Sequence, residues 1–174
     1  MLPDAKKMDL LRAFAKEEIT FEDIIRELPS ELRNKSDLAR QVLEFAISRE
    51  SPLDVEFGMV LLSSPLHEFY ASPDIDQLCR LLLFDWHYSH EDIAVHLGKL
   101  RASEAVECLF STASRIYEYL DYDETRQLAK KCIESLAQIG GKNAISRLVD
   151  LAGDNDQYVR RYARNALERV MQRN

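Results

Sequence analysis

Three histidines and three carboxylates fall within residues 85–96: Asp85, His87, His90, Glu91, Asp92 and His96. Imidazole and carboxylate are the side chains that hold divalent metals and relay protons, so this cluster is the first place to look for chemistry. A helix starting at residue 90 would set Asp92 and His96 at i and i+4 on one face, a chelating arrangement. Against this, Ile93 and Leu97 take the core positions of the same helix, which turns His96 toward solvent. The spacing is also looser than a true ligand motif. A simpler assignment makes Ser89 the N-cap, with Glu91 and Asp92 favourable at the positive helix end. No metal is expected.

Thiol chemistry is equally poor. Cys79, Cys108 and Cys132 are odd in number and widely spaced, with no C-x-x-C, which argues against a disulfide framework or a zinc site and for reduced thiols. Cys79 and Cys132 sit among apolar residues at core spacing, and neither has a histidine placed to form a thiolate pair. The chain has no G-x-S-x-G, glycine-rich phosphate loop or H-E-x-x-H. No catalytic residue and no cofactor are expected, and the chain does not read as an enzyme.

What remains is an unusual pairing of acids with rings. Asp85-Trp86-His87-Tyr88-Ser89-His90-Glu91-Asp92 and Tyr117-Glu118-Tyr119-Leu120-Asp121-Tyr122-Asp123-Glu124 contain no Lys or Arg. Residues 51–125 hold 14 Asp/Glu against 4 Lys/Arg, whereas residues 126–174 hold 5 against 10, so the net charge of −7 conceals an acidic middle and a basic end. Asp121-x-x-Glu124 reads as a capping box for a helix over 124–139, with Asp121 or Asp123 as its cap. Tyr117 falls in phase with Leu109, Ala113, Ile116 and Leu120, but capping and phase leave Tyr119 and Tyr122 spare. Aromatic side chains bring contact area at low entropic cost, which favours a binding surface. The candidate partner-binding residues are Asp85, Trp86, His87, Tyr88, Glu91, Tyr119, Asp121, Tyr122, Asp123 and Glu124.

The elements that must carry these residues are helical. Nearly every segment has a period of 3.6 and none alternates as a strand does. Helices are expected near 4–17, 21–28, 37–49, 53–63, 66–71, 74–86, 90–99, 103–119, 124–139, 142–152 and 157–172. Thr20-x-x-Asp23 reads as a capping box and Pro29 as a stop. Ser51-Pro52 and Ser72-Pro73 read as N-cap followed by N1. At 174 residues, 46% hydrophobic and 30% charged, the chain can bury one core, and long disorder is not expected. Apolar runs such as Met59–Leu62 and Leu81–Phe84 are too short to span a bilayer. Asp4, Lys6, Lys7 and Asp9 break up any signal-peptide-like start, so a cytoplasmic location is expected.

The second half repeats. Residues 125–136 shifted by 34 fall on 159–170, pairing Ala129 with Ala163, Cys132 with Ala166, Leu136 with Val170 and Arg126 with Arg160. Residues 105–113 shifted by 39 place Ala105, Leu109 and Ala113 on Ala144, Leu148 and Ala152. A helix pair recurring at about 40 residues is the length of stacked helical repeats. The string Ala137-Gln138-Ile139-Gly140-Gly141-Lys142-Asn143-Ala144-Ile145, then Leu148 and Leu151, Asp154–Asp156, Val159-Arg160 and Ala163-x-x-Ala166-Leu167 resembles HEAT-type repeats over residues 89–174. D-W-H-x-S-H-E-D, E-Y-L-x-Y-D-E and A-x-K-C are similar to small bacterial HEAT-like proteins of the immunity or adaptor kind. The resemblance implies an all-α fold: a right-handed stack of antiparallel helix pairs, in which Arg160 ladders with Asp154 or Asp156.

The expected organisation is one all-helical domain over 1–174, with an irregular half (1–88) and HEAT-like repeats (89–174). Stacked pairs offer a long face to partners. The turns carrying 85–92 and 121–124 each precede a first helix of a pair, which would put them on one edge about 10 Å apart, as a single acidic ridge. An acidic ridge suits a basic protein partner and not nucleic acid, whose phosphates need Lys and Arg. The function expected is therefore non-enzymatic protein binding, most concretely a cytosolic immunity protein that neutralises a basic toxin domain. A regulatory adaptor or assembly factor scaffolding an enzyme is the alternative. A HEAT-like lyase is a more distant one.

Overall fold

The computed structural model describes residues 2–30, 38–63 and 75–172. Among these the chain forms ten α-helices and two short 3-10 turns, with no strand. The helix expected at 66–71 and the start expected at Ser72-Pro73 lie outside the described residues. No helix among the described residues is long and apolar enough to cross a membrane. The chain divides into two compact units, residues 1–74 and 75–174.

The first unit contains α1 (Asp4–Ala15), α2 (Phe21–Glu27), α3 (Leu38–Arg49) and α4 (Pro52–Ser63). Thr20 and Asp23 form a reciprocal capping box, and α2 ends at Glu27, just ahead of Pro29. Ser51 Oγ accepts the Asp54 N–H at 3.3 Å, so the Ser-Pro pair starts α4 with one orphan donor satisfied. Helix α4 packs on α3 and on α1. It buries Asp54, whose carboxylate pairs with the equally buried Lys7 ammonium from α1, and Asp4 reaches the same ammonium at 2.8 Å. A charge removed from water persists only when paired in this way.

The second unit contains α5 (Ile75–Leu83), α6 (His90–Leu100), α7 (Val106–Ala113), α8 (Gln127–Ile139), α9 (Gly141–Leu151) and α10 (Gln157–Met171). Helix α8 is central and packs on α6, α7, α9 and α10, while α9 also packs on α7 and α10. Its buried face is Leu128, Ala129, Cys132, Ile133, Ser135 and Leu136, a stripe at helical spacing. At the crossing with α6, a Cβ on Gly98 would lie 2.4 Å from Ser135 Oγ and 2.8 Å from Ser135 Cα, so only glycine lets these helices approach. Ser135 Oγ donates to Ala94 O at 2.8 Å across the same contact. Gly140 and Gly141 turn the chain from α8 to α9 with φ of 67° and 74°, a region glycine occupies freely.

Ties at one recurring offset run across the unit. Lys131 pairs with Glu91, Arg147 with Glu107 and Ser114 with Asp154, each 40 positions apart in sequence. The aligned residues Ala129, Cys132, Ala163 and Ala166 are all buried, as are Ala105, Leu109, Ala144 and Leu148.

Three expectations need correction. Cys79 and Cys108 are joined as a disulfide, with Cα atoms 5.5 Å apart, so only Cys132 is a free thiol. The wide sequence spacing concealed that α5 and α7 pack together. The expected helix 103–119 is instead a 3-10 turn (Ser103–Ala105), α7, an irregular stretch and a second 3-10 turn (Glu118–Leu120). Among the described residues no carboxylate lies within salt-bridge distance of Arg160, which donates instead to the Asp154 and Asn155 carbonyls. Its aligned counterpart Arg126 makes the ion pair instead, with Asp156 at 3.3 Å.

Candidate functional site

Helix α5 ends at Leu83, and a helix end leaves its last carbonyls without partners inside the helix. Four successive carbonyls here receive side-chain donors. His87 Nε2 donates to Leu81 O at 2.8 Å, the Tyr117 hydroxyl to Leu82 O at 2.6 Å, the Arg115 guanidinium to Leu83 O, and His90 Nε2 to Phe84 O at 2.7 Å. Two members of the cluster first considered for metal or proton chemistry, His87 and His90, thus belong to the C-terminal cap of a helix.

The remaining ring nitrogens are also engaged. The Ser89 N–H donates to His87 Nδ1 at 3.2 Å, and the Tyr119 hydroxyl donates to His90 Nδ1 at 2.8 Å. These partners fix both imidazoles as neutral Nε2–H tautomers. Both rings are fully buried and stack at 4.2 Å between centroids, and Tyr117 lies 3.9 Å from His90 on the same basis. Burial pushes the His87 imidazole below its ordinary range and takes His90 down to about 4, against the opposing pull of the carbonyls they cap. Burial, reinforced by Glu91, raises the Tyr119 phenol well above its usual range, so it remains a donor. A metal at His87 or His90 would have to displace one of these bonds. Among the described residues no group of three or more His, Cys, Asp or Glu side chains is placed to hold a metal ion.

The two acidic, aromatic stretches meet through this cap. Tyr88 and Tyr119 pack edge to face at 5.1 Å, and the Tyr119 hydroxyl also lies 3.4 Å from Tyr88 O. Of the candidate contact residues, Asp85, Tyr88, Asp121, Tyr122 and Glu124 are exposed, with Tyr88 at 67% and Tyr122 at 81%. Trp86 is half-buried against Phe84 and His87.

Four of the candidates are committed to the fold. His87 is fully buried, because it caps α5. Tyr119 is half-buried and spends its hydroxyl on His90. Glu91 is paired with Lys131. Asp123, and not Asp121 with Glu124, caps the next helix: its carboxylate accepts the Thr125 N–H at 3.0 Å, the Thr125 hydroxyl and the Gln127 N–H. Burial opposes the Asp123 charge, but these bonds outweigh it and hold the carboxyl below its usual range. The helix accordingly starts at Gln127, three residues later than the spacing predicts. His96, expected to face solvent, is half-buried with Nε2 out of solvent contact.

Sequence reasoning weighed His90 only for metal or proton chemistry and Tyr117 only as a core residue, and it missed Arg115 and Arg126 as residues that build the site. A cleft of about 110 Å³ opens beside the cap, floored by Tyr117, Leu120, Leu128 and Ala129. Arg115, Arg126, Asp121, Asp123 and Glu124 line its polar side. Arg126 holds a left-handed conformation (φ 57°, ψ 50°), an uncommon state for a residue with a Cβ. Ile116, which also lines the cleft, is 66% exposed. One signal could have found the capping residues: an accounting of which donors serve the last carbonyls of α5. Comparison with protein families, with curated proteins and with solved structures finds no match to this chain.

Proposed function

We propose that this chain is a non-enzymatic protein-binding module of stacked helix pairs, whose acidic, aromatic rim takes a basic protein partner. The observation that carries the reading is the meeting of residues 85–92 and 117–124 over a rigid hydrogen-bonded cap, which leaves Asp85, Tyr88, Asp121, Tyr122 and Glu124 exposed together in one unit. No cation lies within salt-bridge distance of Asp121 or Glu124 among the described residues, so their field is available for steering. Tyr88 and Tyr122 are suited to anchor a partner once it arrives. His87 and His90 spend both ring nitrogens inside the cap, so the rim above them is read as a contact surface.

The repeat-stack part of the reading is supported by the ties at an offset of 40 and by the packing of α8 on α6 and α10. In its most concrete form the module is an immunity protein and the partner a basic toxin domain. Affinity capture from native lysate tests it. A strongly basic protein should be retained by the wild type and lost with D121K/E124K, and recovery of the same proteins by both would count against the rim.

A further inference from the structure

The arginines of the basic end fall into two groups. Arg160 and Arg164 are spent on backbone carbonyls, of Asp154 and Asn155 in one case and of Ala152 at 3.3 Å in the other. Arg161, Asn165 and Arg169 instead recur at i, i+4 and i+8 along α10, a stripe about 12 Å long at 1.5 Å per residue. With Tyr162, and with Lys130 and Glu134 of α8, they line a groove of about 560 Å³. Three cations face one carboxylate there, and that carboxylate, Glu134, lies 3.8 Å from Arg169. Among the described residues no acid is within salt-bridge distance of Lys130 or Arg161.

Arg161 lies over the rings of Tyr158 and Tyr162, at 5.1 and 5.3 Å, and Lys130 lies over Tyr162 at 5.9 Å. The rings are therefore engaged by the chain's own cations, and the groove offers charge in preference to a stacking platform for bases. A compact group of carboxylates on a folded surface is the complement of a short cationic stripe of this kind. The chain itself presents such a group, Asp121 and Glu124, beside the groove. The Tyr162 hydroxyl donates to Thr125 O at 2.7 Å, the residue directly after Glu124. Complementary patches side by side on one body are self-complementary under a two-fold rotation, the condition for an isologous dimer.

We propose that this surface associates with a second copy of the chain, with Asp121 and Glu124 of each copy docked on Arg161, Arg169 and Lys130 of the other. The dimer is held by exposed charge and is therefore salt-sensitive. It draws on the same Asp121 and Glu124 as the basic partner proposed above, and R161E/R169E separates the two readings, because it removes self-association while leaving the acidic rim intact for capture.

Sedimentation equilibrium of the purified chain tests it. At about 0.1 M salt, where adjacent charges still attract across about 10 Å while the net charge of −7 on each copy is largely screened, the mass should rise with concentration from 20.1 kDa toward twice that value, and it should fall back at about 1 M salt. R161E/R169E alone and D121K/E124K alone should each stay at 20.1 kDa. Mixed in equal amounts they should dimerise, since each supplies the charge the other now needs. A wild type that stays monomeric at the lower salt concentration, or a mixture that stays monomeric when both variants keep the wild-type circular dichroism, would overturn the proposal.

Discussion

The Tyr119 hydroxyl donates to His90 Nδ1 at 2.8 Å across 29 positions of sequence. That bond couples the two acidic, aromatic stretches, because His90 is also the residue whose other nitrogen caps Phe84 O at the end of α5. Tyr119→Phe keeps the ring packing and strands a fully buried acceptor. Urea denaturation should show a loss of about 1–3 kcal/mol, the desolvation cost of an unpaired buried group. A loss of only a few tenths would mean that the bond does not organise the cap.

Acid should unfold this unit through the same histidine. His90 takes a proton near 6.5 in the unfolded chain and near 4 in the folded one. Between those values the unfolded state binds more protons, so stability is complete above about pH 6.5 and falls as the pH drops toward 4. The full loss is about 3 kcal/mol at 1.36 kcal/mol per pH unit, and His87 adds to it in the same direction. NMR titration of the His90 ring should show it neutral down to about pH 4. A midpoint near 6.5 would contradict a buried, doubly bonded imidazole.

Gly98 of α6 lies against Ser135 of α8 with no room for a Cβ. On an exposed helix Gly→Ala gains about 1 kcal/mol of helix propensity. Here the new methyl would press on Ser135 backbone and side chain, so Gly98→Ala should instead lose about 1–3 kcal/mol by overpacking. A gain in thermal stability would show that this crossing is looser than described.

The Cys79–Cys108 bond joins residues 29 positions apart in sequence and links α5 to α7. Chain-entropy arguments assign such a cross-link about 3–4 kcal/mol. Unfolding with and without a reductant should differ by roughly that amount, and C79S/C108S should lose all sensitivity to the reductant. Identical melting of the wild type under both conditions would show that the two thiols are not joined.

Much of the helical content was legible in the sequence, because it rests on local rules. Thr20 with Asp23 and Ser51 with Pro52 mark helix starts by short-range bonding, and the α8 stripe follows from period 3.6. What was illegible depends on long-range partners. Tyr117 reads in phase with a helix, yet the chain leaves α7 at Ala113 so that its hydroxyl can reach Leu82 O, 35 positions away, and Ile116 is left exposed. His87 reads as a surface residue because its polarity is visible and its partner, a carbonyl of the preceding helix, is not. Asp123 shares the cap assignment with Asp121 until its bonds to Thr125 and Gln127 single it out. The disulfide lies beyond sequence spacing for the same reason.

The rim residues Asp121 and Glu124 carry the central claim, and association kinetics with the captured partner test it most directly. Association rates should be measured for the wild type and for D121K/E124K across a series of salt concentrations. Steering by exposed acids predicts that reversal slows association at least tenfold at low salt and flattens its salt dependence, with dissociation little changed. Equal association rates and equal salt slopes for the two proteins would contradict it.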